Sequence, residues 1–252
     1  MSGAMPLTIS GRLISVKKLI SFLSILIVLV MLVLLSNTVY KDYKEKSDSD
    51  AQMYLKPQIV QEANTSLLMD FAPLKAVNED IVTWLYIEGL GIDYPLVQGI
   101  DNSYYLEYTA AHKYNKLGAL FLDYRNSPDF TDFNSIVYGH NMASGQMFGR
   151  LRDMKERECF DRVTSGTLYT PATTYSLDIF ALVIADAASG FYRYAFPDTA
   201  SKEEQLTMIR DYALYYRDIG VSANDRLISL STCSSEYEES RAIVIARISE
   251  RK

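Results

Sequence analysis

From Leu19 to Leu35 the chain reads LISFLSILIVLVMLVLL, 17 residues without a charge. Nothing else in the sequence is apolar enough to enclose a helix of this kind, so the run constrains the fold more than any other feature. At about 1.5 Å per residue it makes a helix roughly 26 Å long, close to the thickness of a bilayer core. Val39 and Tyr40 add length and an interfacial aromatic. A cleaved signal peptide is the competing reading. The run is longer than an ordinary signal-peptide core and no A-x-A-like site follows it, which favours an uncleaved anchor. Arg12, Lys17 and Lys18 precede the span; Lys41, Lys44 and Lys46 follow it among acids. The basic count is nearly tied, and the short N-terminus favours that end inside and the bulk of the chain outside. The expected organisation is 1–18 cytoplasmic, 19–40 transmembrane, 41–70 a stalk with an N-terminal helical segment, and 71–252 the main domain.

Beyond the span the pattern changes to sheet. Tyr is abundant, at 19 residues, and clusters in strand-like runs. WLYIEGLGIDYPLVQG reads as two strands joined at Gly89–Gly91. GALFLDYRN, SIVYGH, GTLYTPA, YSLDIFALVIA, RLISLSTC and RAIVIARI follow as further strands, several with alternating apolar positions. A closed or nearly closed antiparallel barrel fits this series, with a sandwich as the alternative. One or two short helices are expected between Met53 and Ala76, and Asn78 as the cap of a short turn over NEDIVTWL. Two further helices are expected, one over Met147–Phe160 and a longer one over 201–217, capped at Ser201.

Charge excludes one class of function. With Arg12, Lys17 and Lys18 set aside, the remaining 22 of 25 basic residues face 31 acids, a balance of −9. Such a domain has no bulk attraction for nucleic acid. Two cysteines (Cys159, Cys233) and two histidines (His112, His140) form no C-x-x-C or H-E-x-x-H pattern, so neither a metal nor another cofactor is expected.

That scarcity narrows the search for a nucleophile and its base. Cys233 ends the strand RLISLSTC, where a thiol can be held rigidly at a groove. Its reactive thiolate needs a neighbouring cation at neutral pH. His140, after a strand and a glycine, can serve as general acid and base. Arg241 lies eight residues beyond Cys233, at the start of the next strand, and its permanent charge suits an oxyanion. The bland readings are a buried thiol, a turn histidine and a surface arginine. Cys159 reads as a core thiol and His112 as a solvated loop residue. A Cys159–Cys233 disulfide would consume the only good nucleophile.

The segments together resemble a known family. SLSTC resembles the TLxTC strand end of sortases, with Ser229 where Thr is usual. YGH, followed by a short loop and a helix beginning MF, resembles the histidine motif of class B sortases. DYPLVQGIDNSYYL and GALFLDYRN are similar to two further class B segments, in the expected order across roughly residues 70–252. The resemblance implies a sortase-type β-barrel with a long helix inserted between two late strands. It implies a cysteine transpeptidase in which Cys233 attacks the carbonyl of a threonine in a C-terminal sorting signal, His140 moves protons and Arg241 holds the oxyanion. An amine from a peptidoglycan precursor or a pilin lysine would resolve the thioacyl enzyme. Asn102, Ser231, Phe191 and Tyr192 are carried over as substrate-binding positions, with core or rim packing as the alternative for the last two. Tyr138 and Glu236 flank the site with open roles. A secreted cysteine hydrolase using the same three residues, and a non-catalytic anchored binding module, are the competing functions.

Overall fold

A computed structural model of the protein describes residues 10–53, 56, 59–61, 67–186, 188–233 and 240–250. The chain divides into two units, Met1–Ser47 and Asp48–Lys252. In the first, helix α1 (Ser10–Met53) carries the stretch Lys18–Lys41, 24 residues with a mean hydropathy of 3.1 and none of it buried. By length and composition this stretch can cross a membrane. Three of its hydroxyls bond within the helix: Ser24, Ser36 and Thr38 donate to the carbonyls of Ser21, Val33 and Leu35. Hydroxyls bonded in this way leave no unpaired donor to desolvate in lipid.

The second unit begins with a small antiparallel pair, β1 (Ile59–Gln61) and β2 (Leu67–Met69), and the short helix α2 (Ala72–Val77). The sequence reading assigned only helix to this stretch. Pro73, read there as an interruption, sits in the first turn of α2, where its missing N–H costs nothing. Asn78 closes α2 and also opens the expected turn, its carbonyl accepting from Ile81 N at 3.2 Å and its Oδ1 from Asp80 N at 2.8 Å, but the turn goes no further because IVTW behind it is β-branched and aromatic and forms strand.

The barrel strands are β3 (Ile81–Ile87), β4 (Ile92–Val97), β5 (Leu120–Leu122), β6 (Asn134–His140), β7 (Ser165–Tyr169) and β8 (Thr174–Asp186), with β10 (Arg226–Cys233) and β11 (Ser240–Glu250) completing the set. Their order is β11-β10-β6-β5-β4-β3-β7-β8, and pairing of β11 with β8 closes the ring at eight strands. Strand β9 (Ala213–Tyr216) continues the edge of β8 beyond β7. The β4–β5 and β6–β10 seams are parallel and the other six antiparallel. A parallel seam needs a long crossover, which a list of strand-like runs does not reveal.

Alternation fills the interior. Ile228 and Leu230 of β10 join Leu85, Val137, Leu177 and Val244 in one buried cluster. Leu227, on the other face of β10, packs with Phe180 and Ile209 beneath helix α4 (Thr199–Tyr212). Asp198, not Ser201, caps α4; it accepts from the Ser201 amide at 2.8 Å, and Ser201 completes the capping box. The helix stops at Tyr212 because Ala213–Tyr216 pair with β8. The expected helix over Met147–Phe160 is a 3₁₀ segment (Gly149–Lys155) followed by α3 (Arg157–Arg162).

Gly139, one residue before the end of β6, admits its neighbours closely. A Cβ there would lie 2.3 Å from Leu120 Cδ2 and 2.8 Å from Phe148 Cδ2. Gly139→Ala is therefore expected to cost about 1–3 kcal/mol, read as a drop in Tm of several degrees, and to displace the His140 end of β6. An unchanged Tm would show that the wall yields freely.

Candidate active site

Three strand ends meet at one rim of the barrel. The parallel β6–β10 ladder pairs Ser231 with Tyr138, Thr232 with Gly139 and Cys233 with His140. On its other edge β10 pairs antiparallel with β11, Ser231 opposite Ile243. That pairing ends at Ser231, and Arg241 stands two residues before Ile243 on β11. The half-buried Arg241 reaches the Thr232 carbonyl with Nη1 at 3.4 Å, and its buried Nε has no hydrogen-bond partner among the described residues. His140 is half-buried, with Nε2 at 2.7 Å from the Leu106 carbonyl.

A polar network lies beside these ends. The Tyr192 and Ser231 hydroxyls are 2.8 Å apart, and the Tyr192 ring stacks on Tyr138 at 6.2 Å. Tyr138 donates to Asp123 Oδ2 at 3.0 Å, as does the Asn102 amide at 3.0 Å. Arg125 grips the same carboxylate through Nε at 2.8 Å and Nη2 at 2.7 Å and lies over the Tyr194 ring at 4.0 Å. A cleft of about 470 Å³ opens alongside, lined by Arg125, Ser189, Tyr192, Arg193, Gln205 and Met208 among others.

Burial alone would raise the pKa of Asp123, yet it falls below the ordinary carboxylate value. Bonds from Arg125, Asn102 and Tyr138 outweigh the desolvation. Burial and the adjacent Asp123 carboxylate push the Tyr138 phenol well above its usual range, so it stays a donor. A carboxyl depressed on folding contributes stability above its unfolded pKa, about 3.9. That contribution is lost as pH falls through the folded value. Asp123→Asn should flatten this acid limb of the stability–pH curve; an identical limb in the variant would refute the assignment.

The Sortase domain family matches residues 85–249 by its sequence profile. Sortase B of Listeria monocytogenes is 32% identical over 203 residues, covering 80% of this chain and 82% of that protein. The chain belongs to class B of the sortase family. Sortase B of Bacillus anthracis superposes on this sortase with a TM-score of 0.73 at 28% identity, covering 84% of this chain and 98% of that one. A Staphylococcus aureus sortase B–substrate complex superposes at 0.68 with 27% identity, covering 72% and 85%. The sortase is accordingly a cysteine transpeptidase that acts on sorting-signal peptides.

Of the binding positions expected from sequence, Asn102, Tyr138, Tyr192 and Ser231 fall in the one network of the sortase rim. Phe191 is buried instead, 5% exposed, packing with Ile209 and edge-on to Tyr212. Glu236 lies outside the described residues. Asp123 and Arg125 were not singled out from sequence. Their signal was an acid directly behind the apolar run LFL with an arginine two residues on.

Cys159 is a free, buried thiol whose Sγ lies 4.0 Å from Met154 sulfur, and burial pushes its pKa up. His112 is exposed, with Nδ1 3.1 Å from the Tyr104 hydroxyl. Cys159→Ser should leave transfer within about twofold and cost roughly 1–3 kcal/mol for an unpaired buried hydroxyl. Collapse of turnover without loss of fold would give Cys159 a catalytic part.

Proposed function

We infer that this class B sortase works through Cys233 as nucleophile, His140 as general acid and base, and Arg241 as oxyanion holder. The observation carrying this reading is the meeting of strand ends: Cys233 and His140 are partners on a parallel ladder, and Arg241 of β11 reaches the carbonyl of Thr232, the residue before Cys233. Residues far apart in sequence thus start from neighbouring backbone positions, which favours pre-organisation of the reacting groups.

In this reading the Cys233 thiolate attacks the carbonyl that follows a threonine side chain in the sorting signal. Arg241 stabilises the tetrahedral oxyanion without exchanging a proton. The C–N bond breaks, His140 protonates the departing amine, and a thioester to Cys233 remains. An incoming amine, from a cell-wall precursor or a pilin lysine, gives a proton to His140 and releases the enzyme. Asn102, Tyr138, Tyr192 and Ser231 line the approach of the signal. Phe191 supports that wall from the core, and Glu236, three residues after Cys233 in sequence, keeps an open role. Residues 19–40 anchor the chain in the membrane with 1–18 cytoplasmic, 41–70 a stalk and 71–252 the extracellular catalytic domain. The exposed apolar stretch of α1 supports the anchor.

Mass spectrometry of the enzyme incubated with a library of signal peptides tests the reading. A thioacyl adduct on the peptide containing Cys233 is expected, discharged by added amine. An adduct on another residue, or none with any peptide that is cleaved, would overturn it.

A further inference from the structure

We propose that the Leu106 carbonyl, fixed by the turn Tyr104–Leu106, orients His140 so that Nδ1 is the nitrogen that exchanges protons with the reactants. The proposal rests on His140 being the acid–base group.

A carbonyl oxygen only accepts, so the ring nitrogen 2.7 Å from Leu106 oxygen must carry a hydrogen. Turning the ring over would put a carbon there, and a C–H···O contact needs about 3.3–3.6 Å. Nε2 is therefore protonated for as long as the contact lasts. Among the described residues nothing bonds Nδ1, which leaves it for chemistry. In a Ser–His–Asp arrangement a carboxylate fixes the tautomer from behind; here a backbone oxygen takes that position, on the other nitrogen.

The carbonyl is held from several sides. Leu106 N bonds to Ser103 oxygen at 3.1 Å, closing the 3₁₀ turn. The buried Tyr105 hydroxyl donates to Asp80 at 2.6 Å and accepts from the Asn78 amide at 2.8 Å. Tyr105 oxygen accepts from Ala119 N at 2.9 Å. Asp101 Oδ1 accepts from the Ser103 and Tyr104 amides at 2.8 and 2.9 Å. Behind the turn, Gly118 has φ +59, and a Cβ on it would lie 2.7 Å from Leu106 oxygen. Only glycine suits both the conformation and the approach.

The proton path then balances. The imidazolium, protonated on both nitrogens, gives the Nδ1 proton to the leaving nitrogen as the C–N bond breaks. The neutral ring keeps its Nε2–H on Leu106. As the incoming amine bonds to the thioester carbon and the C–S bond breaks, its surplus proton passes to Nδ1, restoring imidazolium and thiolate. Tyr105 and Gly118 act through Leu106 and are positioning residues.

The test uses the full chain in detergent micelles, labelled with ¹⁵N-histidine, with His112→Gln to assign the two signals. In its neutral form, His140 is expected as the Nε2–H tautomer. Tyr105→Phe is expected to mix the tautomers and to lower kcat by about 10- to 100-fold, the range a small misplacement commands, with KM little changed. Gly118→Ala should do the same where it folds. An Nδ1–H tautomer in the unmodified enzyme, or Tyr105→Phe with kcat and tautomer both untouched, overturns the proposal. Full activity of His140→Ala would instead remove the underlying acid–base reading while leaving the tautomer result standing.

Discussion

Cys233→Ala is expected to abolish transpeptidation, by at least about 10⁴-fold in kcat, because removal of a nucleophile leaves only binding and electrostatic assistance. The barrel should survive the change. Strand β10 is held by backbone ladders on both edges, to β6 and to β11, and neither ladder depends on a side chain at its end. The measurement is transfer of a sorting-signal peptide to an amine, followed by mass spectrometry, beside circular dichroism and a thermal melt of the same preparation. Near-normal turnover by a folded Cys233→Ala would end the thiol mechanism. Loss of amine transfer with peptide hydrolysis retained would point to a second nucleophile, which the chain's other thiol, buried Cys159, is badly placed to supply.

Arg241→Ala carries the second large effect, a fall in kcat of about 10²–10³-fold, the usual cost of losing an oxyanion donor. The guanidinium does little else among the described residues: its Nε is buried without a partner there and its bond to Thr232 oxygen is long, at 3.4 Å. Buried unpaired donors are costly and uncommon. Such a group contributes little to stability, so the Tm of Arg241→Ala should hold or rise while kcat collapses. Arg241→Lys keeps the charge but not the planar fork and should recover only part of the rate. A rise in KM with kcat intact would recast Arg241 as a ground-state contact for the signal.

The proposed reactive residues were legible because they are scarce: two cysteines and two histidines leave few possible pairs, and YGH and STC each end a strand-like run. Their meeting was not legible without the family resemblance, since it depends on a parallel seam between β6 and β10 that no local pattern encodes. Asp123 stayed hidden because a carboxylate after a strand ordinarily marks a turn. Only coordinates reveal that its side chain is fully buried, beneath Arg125, Asn102 and Tyr138. Met147 misled for a different reason. Apolar spacing from there to Cys159 suits a helix, but Met147 adopts φ +52 and bridges back to Asn141, so the regular turn cannot begin at that residue. The end of α4 shows tertiary override: Ala213 and Tyr216 continue the helical spacing of Leu206, Ile209 and Tyr212, yet β8 offers them a strand edge.

The seam between β6 and β10 has one more consequence, for how the gene can vary. Pairing runs from Leu227–Asn134 to Cys233–His140 without a break. Insertion or deletion of a single codon within either strand would therefore slide one terminus by about 3.3 Å and turn it to the opposite face. After an insertion in β10, Thr232 would stand where Cys233 now meets its partner. Substitutions along these strands are graded in their effect, whereas a change in length is all or nothing.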